Sequence, residues 1–461
     1  MANIFNEIIE SIKGSEQDFT SMRLRRAVIL LAIPMVMEMI MESLFALCDI
    51  IFVSQLGAEA TATVGITESL MTIIYSVGMG LAMAATSIVS RRIGEKKKME
   101  ASVSAVQSIL LGILVSFPFF IAGIFFSKEI LGLMGASQGV INNGSEYTAM
   151  IMGSNFIIML LFINNAIFRS AGDAMVSMLV MIFANLINIV LDPFLIFGIG
   201  PFPELGVSGA GIATIIGRTF GVLMQFYVFF RKNRKISINK RTILIDLKII
   251  KRLLKLSMGG ISQNLISTAS WVGLYRIMTE FGDNVVAGYT VAIRIVIFSL
   301  LPAWGLSNAA STMVGQSLGA KKADRAEKSV WTISVVNMIF LLVIGIIFYF
   351  ASGSIVSIIT PVEQIREVGI LCLKTLSFGY VFYALGMVTL QAFNGAGDTY
   401  TPTLLNFICF WMIEIPLAYV MSVQIGMNEK GVFLAILIAE SCLGILGLLA
   451  FKMGKWKLRE V

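Results

Sequence analysis

The sequence predicts an all-α polytopic membrane protein of twelve transmembrane helices, arranged as two six-helix lobes related by a parallel repeat. Three observations carry this reading. The 461-residue chain is 57% hydrophobic and only 14% charged, against about 25% charged residues in soluble domains. So little polar surface cannot cover so apolar a core in water, whereas a bilayer accepts apolar side chains directly. Apolar runs long enough to span a bilayer recur along the whole chain, and three motifs of the first half return in the second half at one common offset.

A spanning helix needs about 20 mostly apolar residues. Runs of that kind centre on 27–53, 62–90, 103–127, 147–167, 174–198, 207–230, 253–279, 285–313, 329–350, 368–391, 401–423 and 431–451. Lys and Arg cluster in alternate loops: Lys13 and Arg23 to Arg26, Arg91 to Lys98, the stretch from Arg231 to Lys255, Lys321 to Lys328, and Lys452 to Arg459. The intervening loops hold few, such as Lys128, Arg366 and Lys430. This asymmetry places both termini in the cytoplasm of a plasma-membrane protein. It also accounts for the net charge of +7 without a nucleic-acid partner. The first 26 residues lack the apolar core of a cleavable signal peptide, so the first apolar helix is expected to insert and stay.

The halves repeat. Ser90-Arg-Arg-Ile-Gly94 matches Gly315-Gln-Ser-Leu-Gly319, Phe168-Arg-Ser-Ala-Gly172-Asp173 matches Phe393-Asn-Gly-Ala-Gly397-Asp398, and Gln55-Leu-Gly57 matches Glu280-Phe-Gly282, each 225 residues apart. An even number of helices per half gives both lobes the same orientation, the design in which substrate binds between two rocking lobes. The expected divisions are a cytoplasmic segment 1–26, an N-lobe 27–230, a basic linker 231–252, a C-lobe 253–451 and a tail 452–461. Within the linker region, Thr242 to Lys255 alternates apolar and basic residues and reads as an amphipathic helix on the anionic membrane surface.

Charges inside a bilayer cost roughly 2.5–3.5 kcal/mol each on insertion scales and need a reason. Glu38, Glu42 and Asp49 of the first helix fall within about 40° of one another at 100° per residue and form one acidic stripe facing protein or water. Asp49 also lies near the helix end, where an interfacial carboxylate is at home. The fifth helix carries Asn185, Asn188 and Asp192 before Pro193. Asn188 and Asp192 share a face, as either a proton or hard-cation site or an interhelical hydrogen-bond cluster. Glu68 and Glu414 are further intramembrane acids; Glu414 either lines the second lobe or pairs with Arg276, Arg294 or Lys374. The chain has no His and four scattered Cys, no nucleotide loop and no metalloprotease motif, so the reading is not an enzyme. No resident cofactor is expected, and uphill transport must draw on an ion gradient.

These residues resemble those of the multidrug and toxic compound extrusion (MATE) transporters over nearly the whole chain, and within that family the DinF-like branch. The resemblance rests on Ile33-Pro34, Asp49 with Val53-Ser-Gln-Leu-Gly57, Arg91-Arg-Ile-Gly94, Arg169-Ser-Ala-Gly-Asp173, Asn188-Ile-Val-Leu-Asp-Pro193 and Gly206-Val-Ser-Gly-Ala-Gly-Ile-Ala-Thr214. It implies a secondary antiporter of a prokaryotic inner membrane, acting as a monomer, that exports drugs or toxic metabolites, amphipathic and cationic, in exchange for H+ or Na+. It further implies a coupling site, with Na+ as its metal where sodium couples, at Asp49, Asn188, Asp192 and Thr214. Tyr147 and Asn165 would form a nearby hydrogen-bond network, and the first helix would bend at Pro34. Ser267 stands where other branches carry a glutamate, which places coupling in the N-lobe. The alternative within the wider superfamily is a lipid-linked oligosaccharide flippase, which a more cationic cavity would accompany.

Overall fold

The computed structural model describes residues 18–231 and 234–460; Lys13 and most of the 1–26 segment lie outside them. The N-lobe comprises α1 (Leu24–Ser54), α2 (Ala58–Gly94), α3 (Lys98–Leu133), α4 (Gln138–Ala171), α5 (Ala174–Phe197) and α6 (Val207–Phe229). The C-lobe comprises α7 (Leu247–Met278), α8 (Asp283–Gly319), α9 (Ala323–Ile359), α10 (Glu363–Ser377 and Tyr380–Ala396), α11 (Tyr400–Gln424) and α12 (Glu429–Lys452). Ten of these are long and apolar enough to span as single helices, and α10 qualifies as a pair bent by 62°. The twelfth, α7, is less apolar because Gln263, Asn264, Ser267 and Ser270 interrupt it. Several helices outrun the apolar runs that announce them, because a helix continues into the headgroup layer where charged residues are at home.

The repeat is written into the backbone. α4 breaks at Ser154 and α10 at Gly379, the same position of the repeat. Gly172 and Gly397, at φ 86° and 85°, end the two broken helices in the left-handed conformation that only glycine adopts freely. Asp173 after the first glycine pairs with Arg234 at 3.0 Å, and Asp398 after the second pairs with Arg459 at 3.3 Å, again 225 residues on. The ends of α2 and α8 close alike: Lys97 N–H donates to the Arg92 carbonyl at 3.0 Å and Lys322 N–H to Ser317 at 2.8 Å.

Each lobe lends a helix end to the other. The first turns of α1, from Ala27 to Met35, pack among Leu306, Met313, Val330 and Phe393 of the C-lobe. Leu253 at the start of α7 packs into the N-lobe core, flanked by Ile249, Ile250 and Leu256. The apolar–basic stretch 242–255 is therefore not a separate surface helix. Thr242 closes a turn and residues 243–246 belong to no helix; Gln107 of α3 holds them, donating to the Leu244 carbonyl at 2.7 Å and accepting from the Asp246 amide at 3.4 Å. Asp246 then caps α7 by accepting from the Lys248 amide at 2.9 Å, and the helix runs unbroken to Met278. At the other end of the chain, Trp456 is fully buried and stacks on Phe451, docking the tail onto the C-lobe.

On the side where the basic loops gather, the lobes meet. A Cβ on Gly94 would lie 2.1 Å from the Gln316 carbonyl oxygen, and one on Gly319 would lie 2.2 Å from that of Arg91. Arg91 and Gln316 are themselves repeat equivalents. Arg91 Nη2 donates to the Ala396 carbonyl at 3.4 Å, and Gln316 Nε2 to that of Ser170 at 2.7 Å, so each lobe caps the broken helix of the other. Toward the opposite side, Glu68 of α2 and Arg294 of α8 remain exposed in electrostatic reach of one another. We expect Gly94→Val or Gly319→Val to destabilise this closure by about 1–3 kcal/mol through overpacking. Spin labels at Met99 and Asp324 would register it as longer interlobe distances; unchanged distances would show that the glycine crossing does not hold the lobes.

Candidate ion-coupling site

The acidic stripe of α1 faces α4, α5 and α6, and its members end in different environments. Glu38, 2% exposed, accepts from Arg169 Nη1 of α4 at 2.7 Å and from Asn165 Nδ2 at 3.2 Å. Asn165 in turn accepts from Gln225 Nε2 of α6 at 2.7 Å, and Gln225 accepts from Asn164 at 2.9 Å. Glu42 lies 3.6 Å from Arg218 of α6 and accepts from Asn185 Nδ2 of α5 at 3.2 Å. Arg218 also lies over the Phe45 ring, 5.4 Å from its centroid. These contacts bolt the middle of α1 to the rest of the lobe, and each glutamate has an arginine counter-ion.

One and two turns further along α1 and α5 the pattern changes. Asn188 Nδ2 donates to Thr214 Oγ1 at 3.1 Å, while its Oδ1 is buried without a partner. Asp192 is wholly buried and both of its carboxylate oxygens lack hydrogen-bond donors. Pro193 withholds a backbone donor and leaves the Ile189 carbonyl unused in the ladder. Asp49, 8% exposed, is the charged neighbour of Asp192 and also feels Glu68 and Arg218. Tyr147, buried against Gly211, is in electrostatic contact with both aspartates. Asp49, Asn188, Asp192, Thr214 and Tyr147 thus gather at one locus lined by acceptor oxygens. Asn165 makes no hydrogen bond to them; its Nδ2 donates to Glu38 and its Oδ1 accepts from Gln225. Pro34 is buried within a continuous α1.

The C-lobe does not repeat the two aspartates. Leu274 stands at the repeat position of Asp49 and is buried. Ser267 lines a cavity of about 120 Å³ together with Gln263, Trp271, Tyr383 and Glu440. Glu414 is buried with Oε2 unpartnered, and none of Arg276, Arg294 and Lys374 pairs with it. Arg276 binds Glu280 at 3.5 Å, Lys374 lies over the Tyr349 ring at 6.0 Å, and Arg294 faces Glu68. Among the described residues no group of three or more His, Cys, Asp or Glu forms a metal cluster.

Two lobes of six helices with an inward acid cluster on one of them define a membrane transporter. The MatE family profile matches residues 34–194 and again 259–420, its two copies starting at the 225-residue spacing of the repeat. The chain belongs to the MatE family. It is 26% identical over 439 residues to a probable multidrug resistance protein NorM of Thermotoga maritima, covering 95% of this chain and 94% of that one. A solved MOP superfamily transporter from Pyrococcus furiosus superposes with a TM-score of 0.90 at 25% identity, over 96% of this chain and 98% of that one. A multidrug resistance MATE family transporter solved in its outward-facing conformation gives a TM-score of 0.89 at 26% identity, over 98% and 99%.

Arg169 was not visible as a partner in the sequence, and Arg218 only as an arginine inside a span. The signal was there in principle: intramembrane acids seek intramembrane cations, and Arg169 lies four residues from Asn165 on the same face of α4. We expect Glu38→Gln or Arg169→Gln to destabilise the fold by about 3 kcal/mol, since either leaves a buried charge alone. The double variant should recover much of that loss in a thermal-unfolding comparison. Strictly additive losses would show that the pair does not act as one unit.

Proposed function

We propose that the chain is a secondary antiporter that exports amphipathic organic cations and takes in H+ or Na+ at Asp49, Asn188, Asp192 and Thr214. One observation carries the reading. Of the acids on or beside α1, Glu38 and Glu42 own arginine partners, whereas Asp192 offers two buried oxygens and Asn188 one with nothing to bind them. A buried carboxylate without a fixed counter-ion calls for an exchangeable one. A proton satisfies it through the Asp49–Asp192 pair alone; a dehydrated sodium ion would use the neutral oxygens of Asn188 and Thr214 as well. The two ions compete at one locus, and we favour the proton because the carboxylate pair suffices for it.

Neutralising the aspartates removes a repulsion between α1 and α5, and α1, short of one backbone hydrogen bond at Pro34, is where the lobe gives way. Bending there would close the N-lobe cavity and expel the substrate. The multidrug resistance assigned to the Thermotoga relative and to the outward-facing neighbour supports drug-like cargo. A flippase handling phosphates would need free cations in the cavity, and Arg169 and Arg218 are committed to glutamates. The protein would act as a monomer in a plasma membrane.

In proteoliposomes we expect dye efflux under a pH gradient without sodium, at least about tenfold reduced in Asp49→Asn and in Asp192→Asn while both variants remain folded. Efflux driven by sodium alone would keep the site and replace the ion; efflux indifferent to both gradients would overturn the antiporter. For topology, a cysteine replacing Lys240, in a background without the four native cysteines, should resist an impermeant thiol reagent in intact cells and react after permeabilisation. Ready labelling from outside would invert the orientation.

A further inference from the structure

The basic side of the interlobe seam holds a crevice of about 910 Å³ that the transport reading does not use. The N-lobe wall brings Arg91, Arg92, Lys96 and Lys97 from the end of α2, joined by Arg252 from the first turns of α7. The opposite wall brings Lys321 and Lys322 from the end of α8 and Arg459 from the tail. Against these cations stand Asp18, Glu95 and Glu460. Glu95 is already taken by Arg92 at 2.7 Å and Lys97 at 3.4 Å, and Asp18, within electrostatic reach of Lys96, accepts from the Thr20 amide and hydroxyl at 2.9 and 2.6 Å. Among the described residues no ion pair is formed by Lys96, Lys321 or Arg252. The Arg91 Nε is buried without a hydrogen-bond acceptor in the same wall.

Two features make this more than a scatter of surface lysines. Lys96 and Lys321 sit at equivalent positions of the repeat and both adopt positive φ, 61° and 58°. Glycine or asparagine is the usual residue there, and a long cationic side chain accepts a strained backbone. The same residue occurs in the same strained place on both walls. The walls also belong to different lobes, and the contacts of Gly94 with Gln316 and of Gly319 with Arg91 bring them together. Like charges approaching across the crevice repel, and any parting of the lobes on this side relieves that repulsion. An anion seated between them would do the opposite.

We propose that this crevice binds a polyvalent phosphate-bearing anion, which bridges Lys96 and Arg252 on one wall to Lys321 on the other and clamps the lobes in the closed arrangement seen here. A soluble polyphosphate and the headgroup of an anionic lipid share that chemistry. Both bind through charge and multiple N–H donors, and both weaken with salt.

The full chain in neutral detergent at low salt would be titrated with inorganic tripolyphosphate, reading binding by calorimetry and the interlobe distance from spin labels at Met99 and Asp324. We expect saturable binding that narrows the distance distribution toward its short end. Lys96→Gln/Lys321→Gln should weaken binding by at least about tenfold, while the anion-free variant stays monodisperse and melts no lower than the parent, because a repulsion has been removed. The control Lys452→Gln/Lys455→Gln, equal in charge but in the tail, should bind as the parent does. Repeating the titration in nanodiscs of zwitterionic lipid with and without phosphatidylglycerol identifies the source. Tripolyphosphate binding abolished by phosphatidylglycerol assigns the crevice to a lipid headgroup, and binding that survives it assigns a soluble phosphate. Absence of saturable binding, equal loss in the control pair, no loss in the crevice pair, or binding without a change in distance would each overturn the proposal. None of these outcomes bears on Asp49 or Asp192, so the test is independent of the coupling site.

Discussion

A charge removed from water must find a partner or a proton, and the N-lobe is built around how its acids meet that demand. Glu38 and Glu42 meet it with Arg169 and Arg218, and in doing so tie the middle of α1 to α4 and α6. With the middle of α1 anchored by fixed pairs, the acids further along are left without a salt bridge, and neither oxygen of Asp192 has a hydrogen-bond partner. The proposed division between structural and exchangeable carboxylates follows the ion pairs: Glu38 and Glu42 each hold an arginine, whereas Asp192 holds none. The C-lobe keeps the fold of its twin yet puts Leu274 where Asp49 stands, and its buried Glu414 lies apart from Arg276, Arg294 and Lys374 and near Glu440.

The second organising feature is the repeat, and its most informative expression is at the seam. The glycine crossing between α2 and α8 and the reciprocal caps from Arg91 and Gln316 are each two copies of one contact. Symmetric contacts of this kind close together or open together. Where the copies differ, as Arg91 differs from Gln316, the difference concentrates positive charge on one wall of the crevice. A motif that looks like a packing device in one lobe thus becomes an electrostatic device when the two lobes meet.

Helix number, the 225-residue repeat and family membership were legible because each depends on local composition or on spacing along the chain. Apolar runs announce spans whatever those spans later touch, and a repeat is visible without any structure. The Asn188–Asp192 pair was legible for a similar reason, since i, i+4 spacing on a helix is itself a spatial statement. The segment 242–255 was misread because its apolar and basic residues do alternate at helical spacing. What decided its form was Gln107, more than a hundred residues away, holding the backbone of Leu244 and Asp246.

By itself, then, the sequence determined the solvent of this protein, its twelve spans, its two-fold plan and the acidic stripe of α1, because hydrophobicity and periodicity are properties of neighbouring residues. Only the tertiary structure decided which acids are paired and which are not, that Asn165 serves Glu38 rather than Asp192, and that two lysine-bearing helix ends face one another across the seam. Those outcomes depend on helices far apart in the chain meeting at a given rotation. A rotation of one helix against another leaves no trace in the composition of either.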